Sequence, residues 1–492
     1  MDITVKQKDA VNLVIECEKS IAKELSQYFT FYVPNYQYTP AYKKKIWDGQ
    51  IRLFNVYGRT LYVGLLEYLQ KFAVDRKYTI EIDSENLLST QENNISLDDF
   101  SDFIKSLDLN LKPHPHQLKA SFHALNKKRT LLLSPTGSGK SLIIYILVKY
   151  CLKYLGVGEQ ILIVVPTIGL VNQLYADFVE YSNKTWDVDA NVHKIFSGED
   201  KKSQKKIVVS TWQSLYNMPN DFFSTFSCVF GDECHLFKAK SLTGLMTKLS
   251  NAHFRVGTTG TLDGTLTHKL VIEGLFGPVY NVTSTKKLID KNLLSDIEIK
   301  CLMLSYSDEI RNEMKRSEYQ DEIKFLISNE KRNTFIENLT LNLNGNSLVL
   351  FNYVDLHGKV LYENIKKKEP NRKVFFIYGG TDADQREEIR HILNKEKNAI
   401  LIASYGTCST GINIPSINNV IFASPSKSVI RVLQSIGRGI RKTKDKKKTY
   451  VYDISDDLTY KSHVNHTMKH LDERIKIYTN EKFKYKVTRI KL

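Results

Sequence analysis

The stretch LLLSPTGSGKSLIIYIL (131–147) decides how the rest of the chain is read. An apolar strand runs into Ser134-Pro-Thr-Gly-Ser-Gly-Lys-Ser141, and an apolar helix follows. A nucleotide triphosphate needs inward-facing backbone N–H groups, so glycines must stand where side chains would block the approach. It also needs a lysine for charge and a hydroxyl for Mg²⁺ at the positive end of a helix. Gly137, Gly139, Lys140 and Ser141 supply these in a strand–loop–helix context. Ser134 occupies a position where the general pattern has glycine. The segment reads as a phosphate-binding loop.

Outward from this loop the chain alternates short β-branched runs with helix-length gaps. TLLLS (130–134), ILIVV (161–165), KIVVS (206–210), CVFGD (228–232) and HFRVG (253–257) predict a buried parallel sheet covered by helices. A second set repeats the pattern: SLVLF (347–351), KVFFI (373–377), AILIA (399–403), NVIFA (419–423) and TYVYD (449–453). Between the sets, 286–332 reads as partly helical, and the tail beyond Asp457 as helical and basic. Residues 1–95 read as a small α+β domain ending in the polar stretch SENLLSTQENNIS (84–96). Domains are thus expected at 1–95, 96–285 and 286–492.

Ninety-two residues beyond Lys140, the strand CVFG delivers Asp232-Glu-Cys-His235. Polar residues at the carboxyl end of a parallel strand face the ligand crevice. Asp232 is placed to hold Mg²⁺, and Glu233 to orient and deprotonate an attacking water. Cys234 and His235 lack a third metal ligand, so His235 is expected to couple the nucleotide site to the neighbouring domain.

Composition narrows the class. The 70 Lys+Arg against 54 Asp+Glu leave a net +16, which points to a polyanionic partner, nucleic acid ahead of a membrane surface. No apolar run is long enough to span a bilayer, and the start MDITVKQKDAV has no signal-peptide core. Six cysteines without C-x-x-C spacing fit a reducing cytoplasm.

With these motifs in hand, the chain resembles the superfamily 2 helicases and translocases from residue 113 to 441. Pro113 and Gln117 in KPHPHQ resemble the adenine-reading glutamine motif. PTIGLVNQ (166–173) and STWQS (210–214) resemble segments that track a nucleic-acid backbone, which makes Thr167, Gln173, Thr211 and Gln213 candidate DNA contacts. Thr259-Gly-Thr261 resembles a coupling motif, and VLFNYVDLHG (349–358) stands in the place of motif IV. STGINIP (409–415) looks like motif V, with Asn413 where many relatives place aspartate. Gln434-Ser-Ile-Gly-Arg-Gly-Ile-Arg441 looks like motif VI. WDGQIRLF (47–54), the GDECH form of the acidic motif and YQDEI…KRN (319–333) look like the phage UvsW-type helicases.

The resemblance implies two RecA-like parallel-sheet domains in tandem that use ATP and Mg²⁺. ATP would be held by Pro135, Thr136, Gly137, Ser138, Gly139, Lys140 and Ser141, with Gln117, Gly411 and Asn413. Mg²⁺ would sit on Ser141 and Asp232. Catalysis would fall to Glu233, Asp232, Gln434, Arg438 and Arg441; coupling to His235, Thr259 and Thr261. The implied partner is branched DNA such as Holliday junctions and stalled forks, or RNA–DNA hybrids, with no small-molecule substrate beyond ATP and water. A phage-encoded relative would work in the host cytoplasm.

Charge suggests where DNA would lie. Residues 1–95 carry 12 basic and 12 acidic side chains, whereas 428–492 carry 17 and 7. Lys446, Lys447 and Lys448 belong to the densest run, fit for salt-sensitive phosphate contacts. In the neutral first domain, Lys43, Lys44, Lys45 and Arg52 cluster near Tyr36, Tyr38, Tyr42 and Trp47. The lysines are expected on DNA and Trp47 in the domain core. An RNA-directed helicase, the motor of a restriction enzyme, and a non-catalytic scaffold with a decayed ATP site are the competing readings.

Arg438 and Arg441 are three apart on one expected helical turn, so both guanidinium groups can point the same way and stabilise γ-phosphate charge. Arg438→Ala is expected to retain nucleotide binding while losing about 10³-fold or more of DNA-stimulated hydrolysis, as loss of an arginine finger does. Near-normal steady-state turnover in that variant would refute the role.

Overall fold

Runs such as Gln160–Val165 are apolar on both faces, and only a sheet covered on both sides buries them. The computed structural model describes residues 1–83, 87, 92–196, 203–236, 240–262, 265–409, 416–424 and 448–492, side chains excepted at 240–242, 266–268, 383 and 409. It divides into two compact units, residues 1–134 with 139–282 and residues 135–138 with 283–492.

The first unit holds a seven-stranded sheet. Its order is Val192–Ile195, Ile207–Thr211, Gln160–Val165, Phe226–Gly231, Phe254–Thr259, Arg129–Leu133 and Val279–Asn281, with every pairing parallel. One sheet face packs on the helix Lys140–Tyr154, whose apolar residues 142–148 are all buried. The five runs read from the sequence are all present. The two additional strands are both edge strands. VHKI is half polar and VYN has three residues, so neither carries a periodicity signal.

The N-terminal region belongs to the same unit. Its five-stranded sheet runs Phe54–Asn55, Thr60–Tyr62, Asn12–Cys17, Ile3–Gln7 and Ile80–Ile82, antiparallel except for the last pair. Helices Lys19–Tyr28 and Leu66–Arg76 supply the other side of its core. Leu270 and Val271, from the helix Leu266–Phe276, complete that core. Tyr68 Oη donates to Glu273 Oε2 at 2.7 Å, and Ala10 N–H donates to Ser250 O at 2.8 Å. Two buried arginines, Arg129 and Arg255, both donate to the Ala10 carbonyl. Burial pulls both arginines below their ordinary pKa, Arg255 to about 10.

Trp47 corrects an expectation. It is half-buried, and the apolar core of this region is built without it, from Phe29, Phe54, Phe72 and aliphatic neighbours. The physical reason is topological: Trp47 lies on an excursion between strands Thr30–Tyr32 and Gln50–Arg52, which pair with each other outside the five-stranded sheet.

The second unit is another all-parallel seven-stranded sheet. Its order is Val374–Ile377, Ile400–Ser404, Asn346–Phe351, Ile417–Phe422, Lys448–Asp457, Asp296–Ser305 and Lys484–Lys491. Asp296–Ser305 replaces part of the connection read as helical, and Lys484–Lys491 part of the helical tail. Both alternate charged with apolar residues. The last is an edge strand, where exposed lysines discourage pairing with another chain.

The YQDEI…KRN signature is structural. Glu322 accepts from the backbone N–H groups of His466 and Thr467 at 2.9 and 2.8 Å, and so caps the helix His466–Asn480. Arg332 makes a two-pronged contact with Asp456 at 2.8 and 3.0 Å and also donates to Ala423 O; Tyr306 donates to the same carboxylate. Arg332→Ala leaves Asp456 fully buried without its cation. That variant is expected to lose about 3–5 kcal/mol in urea unfolding; a loss below about 1 kcal/mol would contradict this reading of the pair.

Candidate nucleotide site

Parallel strands align their carboxyl ends, and in the first unit this edge gathers the polar residues singled out above. The registers Thr211↔Val165, Val164↔Gly231, Gly231↔Gly257 and Leu133↔Thr259 place Thr211, Pro166, Asp232, Thr259 and Ser134 along one rim. Close strand approach is enforced there by packing. A Cβ on Gly231 would meet Phe276 at 2.7 Å, and one on Gly257 would meet Cys234 Sγ at 2.7 Å. Cys234 is buried and donates to Gly231 O, so its work is packing between strands.

The loop after Leu133 turns through Gly137 (φ +84°) and Gly139 (φ +80°), a left-handed backbone that glycine adopts without strain. Ser134 is fully buried and its N–H donates to Thr259 O at 2.8 Å, so the loop's departure from glycine faces the sheet. Gly139 immediately precedes the helix Lys140–Tyr154. A side chain at Gly139 would strike Gln117 Nε2 at 2.1 Å. Gln117 is buried: its Oε1 accepts from His114 N–H at 2.7 Å, closing the start of its own helix, and its Nε2 reaches Gly139 O at 3.5 Å. Gln117 therefore braces the loop in this conformation.

Asp232 and Glu233 follow the strand Phe226–Gly231. Asp232 Oδ1 accepts from Thr258 Oγ1 at 2.6 Å and from Glu233 N–H at 2.9 Å. Burial, and then the neighbouring Glu233 charge, raise its pKa above the usual carboxylate value; Lys140 and Thr258 oppose the shift. Glu233 takes a left-handed backbone (φ 51°). Its Oε1 lies 3.5 Å from Lys140 Nζ and its Oε2 lies 3.4 Å from His235 Nδ1. His235 Nδ1 shares a 3.1 Å hydrogen bond with Thr259 Oγ1, which donates onward to Thr261 O at 3.0 Å. The chain Lys140–Glu233–His235–Thr259–Thr261 thus links the phosphate-loop lysine to the next strand.

Other candidates are placed less directly. Ser141 Oγ meets Tyr181 Oη at 2.9 Å, a partner that no motif announced. Thr167 caps the helix Ile168–Tyr181 through Leu170 N–H, and Gln173 is half-buried on that helix. Thr211 Oγ1 bonds Ser214 Oγ, and Gln213 Nε2 donates to Pro166 O at 3.4 Å, so STWQS and PTIGLVNQ are neighbours. Lys43, Lys44 and Lys45 are exposed, while Arg52 is engaged by Asp48 and Gln50. Lys448 opens its strand paired with Glu298 rather than standing free for phosphate. Gly411, Asn413, Gln434, Arg438, Arg441, Lys446 and Lys447 lie outside the described residues.

Comparison with known proteins gives this geometry a family. Residues 2–83 match a model described as DNA helicase UvsW, N-terminal. Residues 108–264 match one described as Type III restriction enzyme, res subunit, and 330–443 the helicase conserved C-terminal domain. The ATP-dependent DNA helicase uvsW of Enterobacteria phage T4 is 33% identical over 515 aligned positions that cover 100% of both chains. The crystal structure of T4 UvsW aligns over 100% of both chains at 31% identity and a TM-score of 0.52. Mss116p bound to single-stranded RNA and AMP-PNP shares only the fold, with 14% identity over 81% of each chain and a TM-score of 0.55. With a full-length relative at 33% identity, and the two-sheet architecture that goes with it, the chain belongs to the UvsW family of superfamily 2 helicases.

Proposed function

We propose that this chain is an ATP-dependent DNA helicase and translocase that remodels branched DNA: regressing forks, migrating Holliday junctions and unwinding R-loops. The carrying observation is the chain Lys140–Glu233–His235–Thr259–Thr261, which joins a phosphate-binding loop to a partly buried acidic pair. The DNA assignment is supported by the full-length relative, named as a DNA helicase. In this reading residues 1–95 are an accessory DNA-binding domain, 96–285 the ATP-binding domain and 286–492 the second motor domain.

The residues present fit ATP and Mg²⁺. Two adjacent, partly buried carboxylates, one of them with its charge disfavoured by burial, face a single lysine, so a cation there would relieve uncompensated charge. Asp232 and Ser141 are the residues that would hold Mg²⁺, which when bound would neutralise phosphate charge. Lys140 would exchange Glu233 for phosphate oxygens and release that carboxylate to orient water and accept its proton. His235, held by Thr259, would then report the change to the strand end. Arg438, Arg441 and Gln434 keep the roles that the sequence pattern implies.

Glu233→Gln preserves shape and removes the base. It is expected to bind nucleotide normally and to hydrolyse it about 10²–10⁴-fold more slowly. ATPase stimulation of the unmodified protein is expected to be larger with forked and four-way DNA than with linear duplex or RNA. Stimulation by RNA alone would transfer the activity to an RNA-directed helicase; absence of hydrolysis in the unmodified protein would favour a scaffold.

A further inference from the structure

The helix Lys140–Tyr154 leaves the phosphate-binding loop, and the helix Ile168–Tyr181 packs along it. On the second helix Val171, Leu174 and Phe178 recur at helical spacing and are buried in the core of the first unit. Tyr181 continues that stripe at its last turn. On the first helix Ser141 and Tyr145 are four apart and share a face. The Tyr145 ring meets Phe178 at 5.2 Å, Tyr181 at 5.6 Å and Trp186 at 5.9 Å between centroids, each edge-on. Lys149 Nζ covers the Trp186 ring at 4.2 Å. Tyr145 Oη is buried and makes no hydrogen bond among the described residues, so that ring serves packing alone. The Tyr181 hydroxyl does something else. It reaches the first turn of the other helix, where its oxygen lies 2.9 Å from Ser141 Oγ.

A serine hydroxyl has one proton and two lone pairs. To ligate Mg²⁺ it must offer a lone pair, so its proton has to turn aside and needs an acceptor there. Asp232, the other residue expected at the cation, already accepts from Thr258 Oγ1 and from Glu233 N–H on its Oδ1. Tyr181 Oη stands within hydrogen-bond distance of Ser141 Oγ and can accept. A phenol oxygen lies in the plane of its ring, so the packing of Tyr181 against Tyr145 sets where that acceptor stands. We propose that Tyr181 is a positioning residue for the nucleotide site: it accepts the hydroxyl proton of Ser141 and leaves the serine lone pair for Mg²⁺. The proposal rests on the reading of this site as one for ATP and Mg²⁺. It adds a residue that belongs to neither the phosphate-binding loop nor the acidic motif.

The test uses the full-length protein and a fluorescent, non-hydrolysable ATP analogue, titrated in EDTA and at rising free Mg²⁺. Tyr181→Phe keeps the ring and its packing and removes the acceptor. It is expected to raise the Mg²⁺ concentration that half-saturates the gain in nucleotide affinity about three- to tenfold, the worth of one neutral hydrogen bond. Affinity in EDTA is expected to change by less than about twofold, since no bond to the nucleotide itself is lost. In a Ser141→Ala background the same substitution is expected to add less than about twofold, because the group that Tyr181 acts through is gone. Unchanged Mg²⁺ dependence in Tyr181→Phe would overturn the proposal. So would equal losses with and without Mg²⁺, the mark of a purely structural role, or effects of the two substitutions that simply multiply. An unmodified protein that bound the analogue equally well in EDTA and in Mg²⁺, or not at all, would bring down the ATP and Mg²⁺ reading itself. A Mg²⁺-dependent unmodified protein with an indifferent Tyr181→Phe would remove only the role of Tyr181.

Discussion

Glu233 is held between a lysine and a histidine, with one carboxylate oxygen 3.5 Å from Lys140 Nζ and the other 3.4 Å from His235 Nδ1. That arrangement requires a left-handed backbone at a glutamate, a conformation that costs on the order of 1 kcal/mol and persists only where its surroundings impose it. Here they do. The strand before it is clamped by Gly231 against Phe276 and Cys234, and Asp232 is tied both to Thr258 and to the Glu233 N–H. A charge change at the lysine therefore has a short covalent and hydrogen-bonded route to Thr259, which ends the neighbouring strand, and to Thr261 just beyond it. The rest of the first unit serves to keep five strand ends in register around this contact.

The two units place buried arginines differently. In the first, Arg129 and Arg255 have carbonyl partners, among them Ala10 of the N-terminal region, and their Nε atoms have no partner among the described residues. This is a costly contact that only a permanent interface sustains, and it makes the N-terminal region an extension of the first sheet. In the second, Arg332 and Arg474 are matched to Asp456 and Asp453, with tyrosine hydroxyls on the same carboxylates. The segments that gave the sequence its family resemblance thus divide into residues gathered at the candidate nucleotide site, as in GDECH, and scaffold, as in YQDEI…KRN.

The central strands were legible because continuous β-branched runs between helix-length gaps suit a buried parallel sheet and little else. Strands at the rim were not. Asp296–Ser305 alternates charged and apolar residues as a half-exposed strand does, but it adjoins helices and its charges resemble theirs. Lys484–Lys491 looks like a basic tail because an edge strand can keep nearly every side chain in water. At the site, the loop and acidic pair were readable from residue type and spacing alone. Tyr181 was not, because its contact with Ser141 joins residues 40 apart and leaves no local pattern. Trp47 was misplaced because size favours burial, while its position on an excursion outside the sheet decides otherwise.

The central claim is that Glu233, His235 and Thr259 transmit the state of the phosphate loop. The most direct measurement compares ATPase rate and strand displacement on a forked DNA for Thr259→Val, which removes the hydroxyl linking His235 to Thr261 while keeping the side-chain shape. Hydrolysis is expected to persist within about threefold while strand displacement falls by about tenfold or more, a coupling loss of roughly 1.4 kcal/mol. Strand displacement that keeps pace with hydrolysis in that variant would contradict the claim.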